Sequence, residues 1–485
     1  MKWCDHVLYL WVKKAVVHQS WKPMSKTYRP YEPDQMFLMP PSLTDWLPAG
    51  HIVYFVREIL DAIDLSPIMS VYEDEERGYP PYNPKMMTGI LLYGYCNGIT
   101  SSRKLARHCQ EDVAFRVLAA NNQPDHRTIC DFRKIHLSSL QHLFVEVLQL
   151  CQKAGLVKFG HIALDGTKIK ANASKHKAMS YGRMKKDITR LKNEISQLLH
   201  EAEETDTRED QKYGKDKRGD ELPEELTRRE TRLVRIQQAK RALEEEAKKQ
   251  PPDDDKPNPP SSAKEQLLPM AKINTDLDET TGKEHVADKA QRNFTDPDSR
   301  IMPYQKTFVQ GYNAQVAVDS EHQIIVATDV TNNPTDDPLL PALVSRLPKK
   351  PDVFSADAGY SVTDNNITYL KKRRIDSYIA IKGQKHNESQ DPFPRGRIPA
   401  DLTIKERMKR KLLTKKGRRL YAIRKCIVEP AIGQIKHVQG FRQFSLRGHV
   451  KVRAEWFLVT ATHNLRKLFK ACCEQPKRRK LIFAG

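Results

Sequence analysis

Several features are scarce in this chain of 485 residues. No apolar run reaches the roughly 18 residues that a membrane-spanning helix needs, so no membrane partner is expected. The eight cysteines (Cys4, Cys96, Cys109, Cys130, Cys151, Cys426, Cys472, Cys473) never form a C-x-x-C pair, and most lie in helical-looking apolar stretches. Free thiols in a reducing compartment account for them better than zinc or disulfides. The opening MKWCDHVLYLWVKKAVV is interrupted by Asp5 and His6, and no small-residue cleavage site comes after it. No secretory signal is expected, and the localisation is read as cytoplasmic. Internal repeats are also missing. Residues 1–25 differ in character from the rest of the chain, and Met24 opens a more ordinary beginning, so they are expected to be a non-core extension with translation starting at Met24.

Positive charge is abundant. Lys and Arg number 82 against 61 Asp and Glu, a formal net charge of +21. Such an excess attracts polyanions, nucleic acid above all. With 39% hydrophobic and 29% charged residues the chain suits two or three folded domains with charged extensions, and not a disordered protein.

Within an N-terminal domain expected over 26–153, apolar residues recur at helical spacing from about 40 to 153, as in HIVYFVREILDAID (51–64), KMMTGILLYGYCNGI (85–99) and LSSLQHLFVEVLQLCQKAGL (137–156). Pro84, Ser101 and Gly155 mark helix boundaries. An all-helical N-terminal domain is expected. Within it, residues 101–119 and 124–137 read as two helices joined by a polar turn, the second capped by Asp125. Arg127, Arg133 and Lys134 are then candidates for a helix-turn-helix-like DNA contact, beside the alternative of a plain solvated basic face.

A short strand around Asp165 comes next. Residues 183–249 are dense in charge with spaced Leu and Ile, which predicts an antiparallel helical hairpin turning near residues 214–223. A Pro-rich linker begins at Gln250, and the insertion as a whole spans 175–290. Its nearly balanced signs favour a solvated or dimerising coiled coil over a DNA clamp. Then come two strands joined as a hairpin (311–319 and 323–330), a helix near Asp337, a strand ending at Asp357, a helix near 362–374, a strand from Asp376, and helices over 403–437 and 451–472. Without the insertion this is close to the element order of the ribonuclease H-like fold, a mixed sheet flanked by helices, over 158–440. Residues 441–485 form a basic C-terminal helix and tail. From 401 to 485 Lys and Arg outnumber acids by more than about four to one, a density suited to phosphate contacts.

Three acids stand out. Asp165 sits inside an apolar strand, a costly place for an unpartnered carboxylate. Asp357 ends a strand and is followed by the small residues Ala358 and Gly359. Glu429 lies in the closing helical region. Phosphodiester chemistry needs an activated nucleophile and a stabilised leaving oxygen, and two divalent ions roughly 4 Å apart serve both. About three carboxylates on rigid elements suffice to hold magnesium. Asp296 and Asp298, flanking Pro297, are a rival pair, although a self-capped turn explains them better.

On these stretches the chain resembles the bacterial insertion-sequence DDE transposases. The similarity is carried by HIALDGTKIKANAS (161–174), NFTDPDSRIM (293–302), GYNAQVAVD (311–319), DVFSADAGY (352–360) and YAIRKCIVEPAIGQIKHVQGFRQFSLRG (421–448), and it covers residues 26–470. The resemblance implies Asp165, Asp357 and Glu429 as a triad for two Mg2+ or Mn2+ ions. It implies metal-dependent cleavage and strand transfer on double-stranded DNA at terminal inverted repeats, by a homodimer found at the nucleoid when DNA-bound. The family's Tyr, Arg, Glu, Lys signature maps to Tyr421, Arg424, Glu429 and Lys436, with Arg424 one residue out of its usual spacing and Lys425 restoring it. At about 100° per residue Tyr421, Lys425, Glu429 and Lys436 share an arc of about 80°, with Arg424 outside it. Pro430 predicts a kink or break at Glu429. A DNA-binding copy without activity, and a nuclease that never joins strands, are the alternatives.

Overall fold

The computed structural model describes residues 42–72, 81–213, 224–249, 268–277, 284–305, 307–361, 363–381, 394 and 396–483. The N-terminal extension with Met24, the hairpin tip near 214–223 and most of the Pro-rich linker lie outside them. Residues 1–46 form a unit separate from Leu47–Gly485; its described part is one 3-10 turn, Leu43–Trp46, with Asp45 accepting from Ser42 N.

The second unit opens with helices α1 (Ile52–Ala62), α2 (Ser66–Met69), α3 (Pro84–Cys96), α4 (Ser102–Glu111), α5 (Val113–Leu118), α6 (His126–Ile135) and α7 (Leu137–Lys153). Asn83 starts α3 by accepting from Lys85 N and Met86 N, with Pro84 at the first position, where its missing N–H is no loss. The stretch expected as one helix over 101–119 divides at Asp112. That residue is extended and spends its side chain capping Ala114 N and Phe115 N. Asp125 caps α6 through Thr128 N, as expected, and Gly155 closes α7 at φ +70°.

Strand β1 (His161–Lys170) leads to β2 (Ala178–Ser180), the long helices α8 (Tyr181–Tyr213) and α9 (Glu224–Lys248), and β3 (Thr275–Leu277), β4 (Glu284–Val286) and β5 (Gln291–Asn293). Helices α8 and α9 are antiparallel, since Tyr181 meets Glu244 and Glu194 meets Arg229. The insertion has its own apolar cluster, with Met184, Leu191, Ile236 and Leu243 at its centre. Its base is closed by the β2–β5 pairing of Ala178 with Asn293.

The chain then forms β6 (Arg300–Tyr304), β7 (Thr307–Asp319), β8 (Ile325–Thr331), α10 (Leu340–Ser345), β9 (Val353–Ala356), α11 (Asn365–Lys372), β10 (Asp376–Ile379), α12 (Ile404–Leu413), α13 (Lys415–Gly433), α14 (His449–Glu474) and α15 (Pro476–Phe483). The main sheet runs β10-β9-β1-β7, with β6 and β8 both on the far edge of β7. Strands β10, β9 and β1 are parallel; β7 is antiparallel to β1 and to β8. Ile162, Ala163 and Leu164 of the central β1 are fully buried, as both faces are covered. Helix α14 packs against α3, α7 and β8, so one helix from the C-terminal part completes the core of the N-terminal helices. Cys96, Cys109, Cys151 and Cys472 are buried free thiols. Among the described residues no helix is long and apolar enough to cross a membrane.

Candidate active site

Asp165 and Asp357 come together because their strands are neighbours. Leu164 pairs with Ala356 in the parallel ladder, so the next residue of each strand follows at the interstrand spacing of about 5 Å. There β9 stops. Asp357 caps the short turn Ala358–Tyr360, accepting from Gly359 N at 2.9 Å. Asp165 accepts from Gly166 N at 2.8 Å through Oδ1 and from Arg424 Nη1 at 3.0 Å through Oδ2.

Burial pushes the Asp165 pKa up to about 6; Arg424 opposes the shift and Asp357 adds to it. Asp357 is also raised, first by burial and then by a third acid, Asp336. No feature of the sequence singled out Asp336, which lies in the polar loop after β8. Its Oδ1 accepts from Asn313 Nδ2 at 2.6 Å, Gln315 Nε2 at 2.9 Å and, more weakly, Lys168 Nζ at 3.4 Å. Two glycines allow this crowding. A Cβ on Gly166 would overlap the Gln315 amide and stand 2.9 Å from Asp336 Oδ1. One on Gly359 would stand 3.0 Å from Asp357 Oδ1 and 3.1 Å from Asp336 Oδ2.

The Glu429 side chain is exposed on α13, and no side-chain hydrogen bond or ion pair engages it among the described residues. Arg424, not the arc of Lys425 and Glu429, faces Asp165, and five residues of helix put Glu429 about 140° round from it. Among the described residues no three His, Cys, Asp or Glu side chains are grouped as a metal site. The donor set that fits a divalent ion is this pair of half-buried carboxylates, whose raised proton affinity a cation would relieve.

Of the kink or break expected at Glu429, the break is absent. Helix α13 runs through Pro430 to Gly433 and ends in a π turn, Gln434–Val438. Pro430 leaves the Cys426 carbonyl without its helical donor, and Gln323 Nε2 from the β7–β8 turn supplies one at 3.2 Å.

Of the cations expected at DNA, Arg424 is buried against Asp165, and its Nε has no acceptor among the described residues. Tyr421 stacks its ring 5.8 Å from that guanidinium. Lys436 Nζ lies 3.3 Å from the Lys168 carbonyl, and Lys425 is exposed. Arg127 is exposed on α6, and Lys134 pairs with Asp131. Arg133 must be corrected: it is 3% exposed and donates to Tyr95 Oη, the Thr100 carbonyl and Ser102, out of reach of DNA. Tyr95 in turn donates to Glu455 of α14, so Arg133 joins α6 to α14. Asp296 and Asp298 are also accounted for. Asp296 accepts from Tyr312 Oη and Gly448 N, and Asp298 from His449 N, which together fix the start of α14.

Two family models match the chain. One, described as a transposase domain (DUF772), covers residues 41–135; the other, described as a transposase DDE domain, covers 276–465. No curated protein and no solved structure matches. Asp165 lies between the two matched segments; Asp357 and Glu429 lie inside the second.

Proposed function

We propose, from the premise that this chain belongs to the insertion-sequence DDE transposases, that it cleaves the DNA at the ends of its element and joins the freed 3′ ends to target DNA. The observation that carries this reading is the Asp165–Asp357 pair, adjacent, half-buried and raised in pKa on neighbouring strands. The strand order, with antiparallel-paired β6, β7 and β8 beside the parallel β1, β9 and β10, is that expected of a ribonuclease H-like sheet. The second family match begins after β1; the sheet restores β1, and Asp165 with it, to the centre.

In this reading Asp165, Asp357 and Glu429 hold two Mg2+ or Mn2+ ions, Glu429 being assigned by resemblance. Such ions make a water or 3′-hydroxyl nucleophilic near neutral pH and neutralise the leaving oxygen. Arg424 holds Asp165 in place, and Tyr421 steadies Arg424. Lys168 and Lys436, both partly buried beside Asp165, supply positive charge toward a phosphate, while the exposed cations of α12 and α13 attract the duplex. Two element ends call for two active sites, hence a homodimer on DNA.

The test is cleavage of end-labelled duplex carrying the repeats that bound the gene, with Mg2+ or Mn2+. Asp165→Ala, Asp357→Ala and Glu429→Gln should each lower the rate by at least about a hundredfold, beyond what loss of an outer-shell partner gives. Full activity in either aspartate variant would refute the pair. Strand transfer from pre-cut ends separates a transposase from a nuclease, and binding without cleavage under either metal identifies an inactive copy.

A further inference from the structure

The inserted hairpin carries nearly balanced charge, and several of its described charges pair: Arg190 with Glu194, Arg229 with Glu194, Lys240 with Glu244, Lys185 with Asp288. On one side this pairing stops. A groove of about 810 Å³ between α8, α9 and the base of the insertion is lined by His176, Lys177, Arg183, Arg232, Arg235 and Arg292. No Asp or Glu is among the described residues that line it. Arg292 is tied to Glu246, and Arg232 has Asp187 at 3.7 Å. Lys177, Arg183 and Arg235 are exposed, and no side-chain hydrogen bond or ion pair engages them among the described residues.

We infer that this groove is a second DNA contact, holding the phosphate backbone of the duplex away from the carboxylate pair; the inference rests on the transposase reading above. Three unpaired cations side by side repel one another, and a polyanion removes that repulsion. They stand on three separate segments, the loop before β2, α8 and α9, which suits a run of phosphates better than a single one. Arginine forks match phosphate oxygens and need no base sequence. The groove also lies on the path of the strand that carries Asp165. Strand β1 ends at Lys170, about 17 Å beyond Asp165, and Lys177 comes seven residues later in the chain. A duplex rising about 3.4 Å per base pair would therefore reach the groove about five or more pairs from the cut.

The experiment is equilibrium binding of the full chain to a labelled duplex of about 40 base pairs over a series of salt concentrations, with cleavage assayed in parallel on the same DNA. Each lost phosphate contact should remove about 0.9 from the slope of log affinity against log salt. The variant K177A/R183A/R235A should lower that slope by about 2 to 3 and weaken binding at least about tenfold near 0.1 M salt. The charge-matched variant K349A/K350A/K371A, on the exposed surface elsewhere, should leave the slope unchanged. An unaltered slope in the groove variant, or an equal fall in both, overturns the groove. Wild-type cleavage with an unaltered slope overturns the groove alone. A lowered slope without wild-type cleavage refutes the transposase reading and leaves a nucleic-acid site.

Discussion

Asp165 has a consequence that needs no DNA to observe. Its folded pKa of about 6 exceeds the ordinary 3.8, so between those values the folded protein holds a proton that the unfolded chain releases. By linkage, stability falls as pH rises through that window, by roughly 3 kcal/mol at most, and is flat again above it. In metal-free protein the melting temperature should drop between pH 4 and 6, and Asp165→Asn should remove most of that slope; an identical slope in the variant contradicts the buried carboxyl. Arg133 provides a second contrast. Removing it leaves Tyr95 and the buried Glu455 without their cation, so Arg133→Ala should cost about 3–5 kcal/mol, read as a fall in unfolding midpoint. Arg127→Ala, on the exposed side of the same helix, should leave the midpoint alone, and equal losses would refute the division of roles. Asp165 and Asp357 were legible because a carboxylate inside or ending an apolar strand is conspicuous. Asp336 was not, since a loop Asp among Asn, Thr and Pro looks like turn chemistry until the fold brings it to Gly359. Arg133 was misread because helical position alone does not tell which flank of α6 meets α3 and α4.

Most elements were legible from periodicity: the strands around Asp165 and Asp357, the hairpin of β7 and β8, and the paired charged helices. Their interruptions were less so. Asp112 divides α4 from α5 by capping, a local choice that apolar spacing does not record. In α13 the wheel drawn from Tyr421 to Lys436 assumed uniform turns, but the π turn at Gln434–Val438 advances less per residue and changes where Lys436 points. Pro430 was expected to kink or break this helix, and the carbonyl it orphans finds its donor on another element. Gln323 donates to the one carbonyl that Pro430 orphans, so the two residues should be coupled. Gln323→Ala should cost about 1 kcal/mol in the native sequence, the value of a lost hydrogen bond. With Pro430→Ala the backbone donor returns, and the same substitution should cost less by a few tenths of a kcal/mol or more. A double-mutant cycle on the unfolding midpoint measures this, and strict additivity would dismiss the compensation.

At the scale of the molecule, the chain leaves the main sheet at β1, builds a helical insertion, and returns to place β7 beside the strand it left. The insertion buries its own apolar cluster, and its two ends meet where Phe294 N donates to the Lys177 carbonyl at 3.0 Å. Such a unit should be removable. Ala178 pairs directly with Asn293, so replacing residues 179–292 by Asn-Gly would close the gap with a two-residue hairpin turn. The deletion forfeits contacts to the sheet: Leu268 is buried, Thr331 donates to the Pro269 carbonyl, and Ala271 N donates to Asn332. One buried Leu and two hydrogen bonds amount to about 4 kcal/mol. The shortened chain should therefore unfold in one cooperative transition at a lower midpoint, because β1 still pairs with β7 and β9, and α14 still joins the sheet to the N-terminal helices. It should retain Mn2+ binding at Asp165 and Asp357, measured by calorimetry, while its DNA affinity loses the share of the salt dependence ascribed to Arg183 and Arg235. A shortened chain with no cooperative transition would mean that the sheet depends on the insertion, and that the two cores are one.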